Sequence, residues 1–167
     1  MNRADEIFDV VDDNDNVIGT ATRGECHSNP NLIHHTVQFA VYSSDTHKFL
    51  IAKRSANADA APNMLAFFGE HIKSGESYEE ALRRGLIEEL GIKSYEAKQL
   101  DIHHFFYDQQ HEIVKFYLVT VPTQKVKLEK WSLSNKMWLT MDEVVAKVDS
   151  FADQTRHWIQ NILNFRV

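Results

Sequence analysis

Residues 77–91 combine a start signal, an apolar stripe and a stop signal for one amphipathic helix. Ser77 followed by Glu80 has the spacing of a capping box, and Gly91 is typical of the position just after a helix. The apolar side chains in between recur every fourth residue and share one side of the helix: Tyr78, Leu82, Leu86 and Leu90. The segment therefore predicts a helix that ends at Leu90 and packs one face against a core.

Apolar segments typical of β-strands precede and follow this helix. Before it, strands are predicted at residues 6–11, 17–23, 37–42, 48–53 and 65–72. After it, strands are predicted at residues 96–106, 112–121 and 136–139, followed by helices at residues 141–148 and 152–165. Asp and Asn at residues 12–16 predict a turn, and so an N-terminal hairpin, whereas residues 24–35 are predicted to be a loop. This order favours an α/β/α sandwich around a central mixed sheet.

Length, charge and cysteine content exclude several classes of protein. A chain of 167 residues predicts a single domain over residues 1–167, with a hairpin and loop at 1–35 and a core at 36–167. Its 18 basic and 24 acidic residues argue against a general nucleic-acid binder or a binder of anionic membranes. The chain lacks the apolar run of about 18 residues that a membrane span needs. Since Cys26 permits no disulfide within the chain and the start lacks an apolar leader, a cytoplasmic location is predicted.

The predicted helix also carries a row of charged side chains at four-residue spacing: Glu80, Arg84 and Glu88. One interpretation is a solvated face, on which each such pair contributes about 0.2–0.5 kcal/mol. However, Glu88 and Glu89 lie in the last turn, where negative charge opposes the helix dipole. A divalent cation would offset that repulsion, because Mg²⁺ prefers carboxylate oxygens and substrate phosphates. The second interpretation is therefore a metal site at Glu88 and Glu89.

The segment from Gly69 to Ile92 resembles the Nudix box, G-x5-E-x7-R-E-U-x-E-E-x-G-U, in which U is a bulky apolar residue. Seven of the nine fixed positions match: Glu76, Arg84, Leu86, Glu88, Glu89, Gly91 and Ile92. Two positions depart, because Glu70 stands at the first glycine and Gly85 stands at the glutamate that follows the arginine. The resemblance implies the Nudix type of α/β/α sandwich.

Nudix enzymes hydrolyse a diphosphate bond in a nucleoside diphosphate linked to another group, with Mg²⁺ or Mn²⁺ as cofactor. The resemblance implies metal ligands at Glu88, Glu89, Glu76 and the carbonyl of Gly69. It implies a catalytic group of Glu88, Glu89, Arg84 and Glu70, and substrate contacts at Arg54, Phe68 and Glu112. Because Gly85 removes one carboxylate, the proton acceptor is then Glu88, Glu70, Glu112 or a metal-bound hydroxide. The alternative is a Nudix-fold binding or regulatory module with a weakened site.

The N-terminal part resembles a narrower Nudix branch, the relatives of isopentenyl-diphosphate isomerase. That isomerase binds a metal through two histidines seven residues apart, which is the spacing of His27 and His34. The resemblance therefore implies a second metal site at this pair. The isomerase also uses a Cys-Gly-His tripeptide where this chain has Phe68, Gly69 and Glu70. Without that cysteine we do not expect isomerase activity. The predicted partner is a small-molecule diphosphate, and the N-terminal hairpin is a candidate homodimer contact.

Overall fold

The computed structural model describes residues 3–58, 60–107, 109–122 and 133–165. In these residues the strands are β1 Ile7–Val11, β2 Val17–Thr22, β3 His34–Ser43, β4 Lys48–Arg54, β5 Leu65–Ala66, β6 Phe68–His71, β7 Glu96–Tyr107, β8 Gln110–Val121 and β9 Leu133–Leu139. The α-helices are α1 Arg23–Cys26, α2 Tyr78–Leu90, α3 Met141–Ala146 and α4 Asp153–Phe165. Two short 3₁₀ helices span Arg3–Asp5 and Val148–Ser150.

Strand β3 is the centre of a mixed sheet. Strand β8 runs parallel to it along its whole length, from His34 opposite Glu112 to Ser43 opposite Val121. Because β8 occupies one edge of β3, the antiparallel partners β1, β6 and β4 pair along the other edge. Strand β2 pairs with β1, while β9 and β5 pair with β4, and β7 pairs with β8. This register brings the first residues of β3 and β8 to the same end of the sheet.

Helices cover both faces of the sheet, which confirms the predicted α/β/α sandwich. One core lies between α2 and the sheet and includes Leu82, Leu86 and Leu90 from the helix. The second core lies between α3, α4 and the opposite face, and includes Trp158, Ile159 and Ile162 from α4. None of the helices in the described ranges is long and apolar enough to cross a membrane.

Helix α2 begins and ends where its sequence signals predict. The Ser77 hydroxyl accepts a hydrogen bond from the Glu80 backbone N–H at 3.3 Å, and the Glu80 carboxylate accepts one from the Ser77 N–H at 2.9 Å. Gly91 follows the helix with φ at 66°, in the left-handed region that glycine adopts without steric cost. The four residues of the predicted stripe are all buried: Tyr78, Leu82, Leu86 and Leu90.

The predictions differ from the structure at two places near the site. Residues 24–35 are not loop throughout, because Thr22 and Glu25 form a capping box that starts the one-turn helix α1, and β3 already begins at His34. Residues 65–72 form two strands rather than one, since β5 pairs with β4 whereas β6 pairs with β3. A short local cap decides the first case. Strand partners that are far away in the sequence decide the second.

The N-terminal hairpin is fastened to the start of α2 through Asp15. The Asp15 carboxylate accepts a hydrogen bond from the Tyr78 hydroxyl at 2.9 Å and lies 3.2 Å from Nδ1 of His35. Nζ of Lys115 lies 3.4 Å from the same carboxylate. Burial acts to raise the pKa of Asp15, but the hydrogen bonds from His35 and Tyr78 outweigh it, and its pKa is lowered. The charge of Asp15 therefore stabilises the fold.

Replacing Asp15 by asparagine is expected to lower the free energy of unfolding at neutral pH by about 1–3 kcal/mol. Asparagine tolerates the positive φ of this position, 64°, so the substitution tests the charge rather than the turn. Because the pKa of Asp15 is lowered from 3.8, its contribution is present above that pH and is lost as the pH falls. Urea denaturation measures the difference, and the exposed neighbour Asp13→Asn is the control. Equal stability of the two variants would contradict this role.

Candidate active site

Arg84 is the hub that joins α2 to β6 and to the loop between them. Its Nε and Nη2 donate to the two carboxylate oxygens of Glu76 at 2.8 and 2.9 Å. Its Nη1 donates to Oε2 of Glu70 at 2.9 Å, and Nη2 also donates to the carbonyl of His71 at 2.8 Å. A planar guanidinium satisfies such a fixed set of acceptors better than an ammonium group does. The network therefore holds strand, loop and helix in one geometry.

Both carboxylate oxygens of Glu76 accept hydrogen bonds in this network. Besides the two bonds from Arg84, Oε2 accepts a hydrogen bond from the backbone N–H of Lys73 at 3.0 Å. Burial acts to raise the pKa of Glu76, but the hydrogen bond from Arg84 outweighs it, and its pKa is lowered. Glu76 is thus an ionised carboxylate that fixes the loop before α2.

Glu88 and Glu89 lie in the last turn of α2, about 100° apart around the helix axis. The Glu88 side chain is exposed and lines a cleft, whereas Glu89 is only 3% exposed. A carboxylate buried to this degree is stable only when it is paired or coordinates a cation. The two side chains thus span the boundary between the interior and the cleft.

An open cleft of about 550 Å³ runs along the exposed side of α2 and the loop before it. This volume is in the range of small-molecule sites. Its walls carry three cationic and three acidic side chains: Lys73, Arg83, Arg84, Glu76, Glu80 and Glu88. Lys73 and Arg83 were not predicted from the sequence, because neither occupies a fixed position of the box. Their position makes the cleft suited to an anionic ligand that also brings a cation.

On the other face of β6, three imidazoles and a carboxylate converge. In the described ranges, two sets of at least three ligand atoms lie within 4.8 Å of one another, and Glu88 and Glu89 belong to neither. The larger set, here called the histidine cluster, comprises His27, His34, His71 and Glu112. The Nε2 atoms of His27 and His71 are 3.0 Å apart. Oε1 of Glu112 lies 3.5 Å from Nε2 of His34 and 3.7 Å from Nε2 of His71.

The sheet register explains why these four residues meet. His34 at the start of β3 lies opposite Glu112 on β8. His71 on β6 lies opposite Thr36, and since alternate residues share a face, it points to the same side as His34. His27 follows directly after α1. The sequence pair His27 and His34 is therefore brought together, and the structure adds His71 and Glu112.

The histidine cluster is partly buried and packs against an aromatic ring. His34 is 0% exposed, and within the part of the chain that the structure describes neither of its ring nitrogens has a hydrogen-bond partner. The Phe8 ring stacks on His34 and on His71, at centroid distances of 5.6 and 5.0 Å. Burial, reinforced by the charge of Arg23, lowers the pKa of His71 well below its usual range. Its imidazole is therefore neutral, which is the form that binds metal ions.

A hydrogen-bond chain behind the cluster fixes Glu112. Gln154 of α4 donates to Oε2 of Glu112 at 3.2 Å and accepts from Gln38 at 2.5 Å. The indole N–H of Trp158 donates to Gln38 at 2.6 Å. Outer groups of this kind orient the ligands of metal centres.

The remaining predicted site residues do not line the cleft. Nε of Arg54 donates to the carbonyl of Ala60 at 2.7 Å. Phe68 is 2% exposed and packs on Phe39 in the core below α2. Neither of them, nor Glu112, lines the cleft. Gly69 lies on β6 opposite Gln38, and a Cβ there would come within 3.0 Å of Cγ of that glutamine.

The second set of ligand atoms comprises Asp13, His104 and His111. Nδ1 of His104 lies 3.0 Å from Nε2 of His111, a hydrogen-bond distance. Burial lowers the pKa of His111. Since Asp13 is exposed and the two histidines satisfy each other, a hydrogen-bonded pair accounts for this arrangement.

Comparisons with known proteins agree with the fold and with the predicted family. The profile of the NUDIX domain family matches residues 33–162. An uncharacterised Nudix hydrolase of Clostridium acetobutylicum is 31% identical over 163 residues, which is 94% of this chain and 75% of that protein. One from a Nostoc species is 40% identical over 88 residues, and the match spans about half of each chain, 52%. An uncharacterised Nudix hydrolase of Streptomyces coelicolor matches over 59% of its length.

Solved structures share the fold at low sequence identity. The crystal structure of DR0079 from Deinococcus radiodurans has a TM-score of 0.78 and 22% identity, covering 93% of this chain and 98% of that one. The NUDIX domain of NrtR from Shewanella oneidensis, solved with ADP-ribose, has a TM-score of 0.67 and 18% identity, covering 80% and 88%. The family profile spans most of the chain, and the matched box residues lie on α2 and on the segments directly before and after it. The chain belongs to the Nudix family of hydrolases.

Proposed function

We propose that this protein hydrolyses the diphosphate bond of a small substrate of the nucleoside diphosphate type, with Mg²⁺ or Mn²⁺ as cofactor. The observation that carries the proposal is the pair Glu88 and Glu89 in the last turn of α2, of which Glu88 lines the cleft and Glu89, the next residue, is buried. Arg84 and Glu76 fix the same helix against β6. The arrangement supplies carboxylate oxygens next to a cleft that also holds cationic side chains.

The residue types of this site are those that a hard divalent cation prefers, because carboxylate and carbonyl oxygens are its usual ligands. Glu88 and Glu89 would hold it, and the carbonyl of Gly69 on the neighbouring strand would add an oxygen. When bound, such an ion neutralises the diphosphate and lowers the pKa of a bound water. Glu76, whose oxygens are engaged by Arg84 and Lys73, acts as a positioning residue or through an intervening water.

Cationic side chains of the cleft would bind the phosphates of the substrate. Lys73 and Arg83 line the cleft beside Arg84, and fixed positive charge stabilises an anionic transition state. Lys73 and Arg83 are substrate contacts in addition to those that the resemblance implies. Arg54, Phe68 and Glu112 stay predictions. A cleft of mixed charge on a chain of formal charge −6 suits a small anionic ligand that brings a cation, rather than a nucleic acid.

A substrate panel tests this function. The panel contains ADP-ribose, diadenosine tetraphosphate, dihydroneopterin triphosphate and nucleoside di- and triphosphates, the first three named for solved proteins of this fold. We expect mononucleotide or phosphate release from at least one compound with Mg²⁺ or Mn²⁺, and none with EDTA. Tight binding of nucleotides without turnover of any compound would contradict hydrolysis and support the alternative of a binding or regulatory module.

We also propose that the histidine cluster holds a second divalent ion. The buried ring nitrogens of His34 support this, because they accept or donate no hydrogen bond among the described residues, whereas polar atoms in the interior normally have a partner. Three imidazoles with one carboxylate favour a transition metal such as Zn²⁺, Mn²⁺ or Fe²⁺ over Mg²⁺. The two sites are joined at β6, since Arg84 bonds the backbone carbonyl of the cluster residue His71.

Replacing His27 by glutamine is expected to weaken transition-metal binding at least about tenfold. His27 is half-buried, so the substitution removes one ligand with little effect on packing. The control is His47→Asn, at an exposed turn with φ of 54° that asparagine tolerates. Elemental analysis of the purified proteins and zinc titration of the metal-free forms measure the effect. Equal metal content in wild type and His27→Gln would contradict the second site.

Two finer predictions concern assembly and location. The homodimer contact through the N-terminal hairpin stays a prediction. Strand β2 is the outer strand of that hairpin and exposes Val17 and Ile18, and an exposed apolar edge strand is a ready template for pairing. A cytoplasmic location likewise stays a prediction.

A further inference from the structure

The two departures from the Nudix box face each other across the contact between β6 and α2. A Cβ built on Gly85 would lie 2.6 Å from Cγ of Glu70 and 3.6 Å from its Cδ. Contacts below 3.0 Å essentially never occur for a real Cβ, and this neighbour is a buried side chain rather than a flexible tip. Thus no larger residue fits at 85 while Glu70 keeps its position.

Local backbone structure gives no other reason for the glycine. Gly85 lies in the middle of α2, and its φ is not among the positive values that the structure contains. A glycine at such a position costs a helix about 1 kcal/mol relative to alanine. The close approach of Glu70, with the Phe39 ring 3.5 Å from the same Cβ position, explains why that cost is accepted.

The sheet register places Glu70 on the face of the sheet that α2 covers. Glu70 lies opposite Val37, a member of the core below α2. The Glu70 side chain is only 7% exposed, and its Oε2 accepts the hydrogen bond from Nη1 of Arg84 at 2.9 Å. Arg84, which immediately precedes position 85, therefore holds the Glu70 carboxylate in place.

We infer that glycine and glutamate have exchanged places in this site, so that Glu70 supplies from the strand the carboxylate that the box places on the helix at residue 85. The inference rests on the proposed function, because the carboxylate serves the same divalent ion site. Glu70 contributes negative charge to that site, and Gly85 is required for the room that Glu70 occupies. The chain then retains the full number of box carboxylates, contributed from different elements.

The exchange is tested by reversing it. We compare wild type with Glu70→Gly, Gly85→Glu and the double variant that carries both. Magnesium titration by calorimetry reports the oxygen-ligand site, since the histidine cluster favours transition metals. Each single variant is expected to bind Mg²⁺ at least about tenfold more weakly. Glu70→Gly lacks a carboxylate, and in Gly85→Glu the new side chain clashes with Glu70. The double variant is expected to return to within about threefold of wild type, because strand glycine and helix glutamate restore the box.

Two further variants keep the test falsifiable if a single variant unfolds. Glu70→Gln preserves the shape of the side chain and removes its charge, so it is expected to fold and to bind Mg²⁺ about tenfold more weakly. Glu96→Gln, an exposed position on β7, is the matched control. Mg²⁺ affinity of Glu70→Gln equal to that of Glu96→Gln, or a double variant no better than the weaker single one, would overturn the exchange.

Hydrolysis measured on the same proteins separates this inference from the proposed function. If none of them turns over the substrate panel but Mg²⁺ affinities follow the expected order, the proposed function fails and the exchange stands. If wild type hydrolyses a substrate and Glu70→Gln matches its Mg²⁺ affinity and rate, the exchange fails alone.

Discussion

Replacing Glu89 by glutamine is expected to lower kcat/KM for diphosphate hydrolysis by about 10²–10³-fold. Glutamine keeps the shape of the side chain, so the substitution removes a charge from a position that is almost fully buried. The charge has its largest effect there, because electrostatic interactions strengthen as water is excluded. Initial rates at saturating and limiting Mg²⁺ measure the loss, which higher Mg²⁺ should partly reverse if Glu89 holds the ion.

Glu96→Gln provides the comparison for Glu89→Gln. Glu96 is an exposed carboxylate on β7 and is not among the residues that line the cleft, so its loss is expected to leave kcat/KM within about twofold of wild type. Thermal denaturation of both variants shows whether either is unfolded at the assay temperature. Turnover by a folded Glu89→Gln at the rate of Glu96→Gln would remove Glu89 from the catalytic site.

Replacing Arg84 by methionine is expected to lower the free energy of unfolding by about 3 kcal/mol. The substitution keeps the aliphatic stem but leaves the carboxylates of Glu70 and Glu76 half-buried or buried without the guanidinium that bonds them. It also frees the carbonyl of His71, which accepts from Arg84. Arg84→Lys should recover part of the loss, since it restores the charge without the planar fork.

Arg83→Met is a closely matched control for Arg84→Met. Arg83 is the preceding residue, lines the same cleft and is exposed, so its loss should change stability by no more than about 0.5 kcal/mol. The comparison also has an expected pH dependence. The pKa of Glu76 is lowered from 4.5, so its contribution is present above that pH and is lost on further acidification. Equal free energies of unfolding of the two methionine variants in urea at neutral pH would contradict this role of Arg84.

The sequence predicts those parts of the fold that local signals specify. Helix α2 follows from the Ser77 cap, the four-residue repeat and Gly91, and each of these does locally what the pattern predicts. The N-terminal hairpin follows from the Asp and Asn residues of its turn in the same way. The box then places Glu88 and Glu89 on the helix, because a helix converts spacing along the chain into direction.

Long-range pairing decides the features that sequence patterns could not predict. His71 joins the histidine cluster only because β6 pairs with β3 in a register that turns Glu70 toward α2 and His71 away from it. Glu112 joins it through the parallel pairing of β8 with β3. No local pattern specifies such a register. The contact between Glu70 and Gly85 also depends on this long-range register. For that reason the sequence alone does not link these two departures from the box.

Anomalous diffraction from crystals soaked in Mn²⁺ is the decisive measurement for the metal site on α2. We expect an ion within about 2.0–2.6 Å of carboxylate oxygens of Glu88 and Glu89, distinct from any ion in the histidine cluster. Carboxylates of Glu88 and Glu89 that bind no ion at saturating Mn²⁺, while the histidine cluster is occupied, would contradict it.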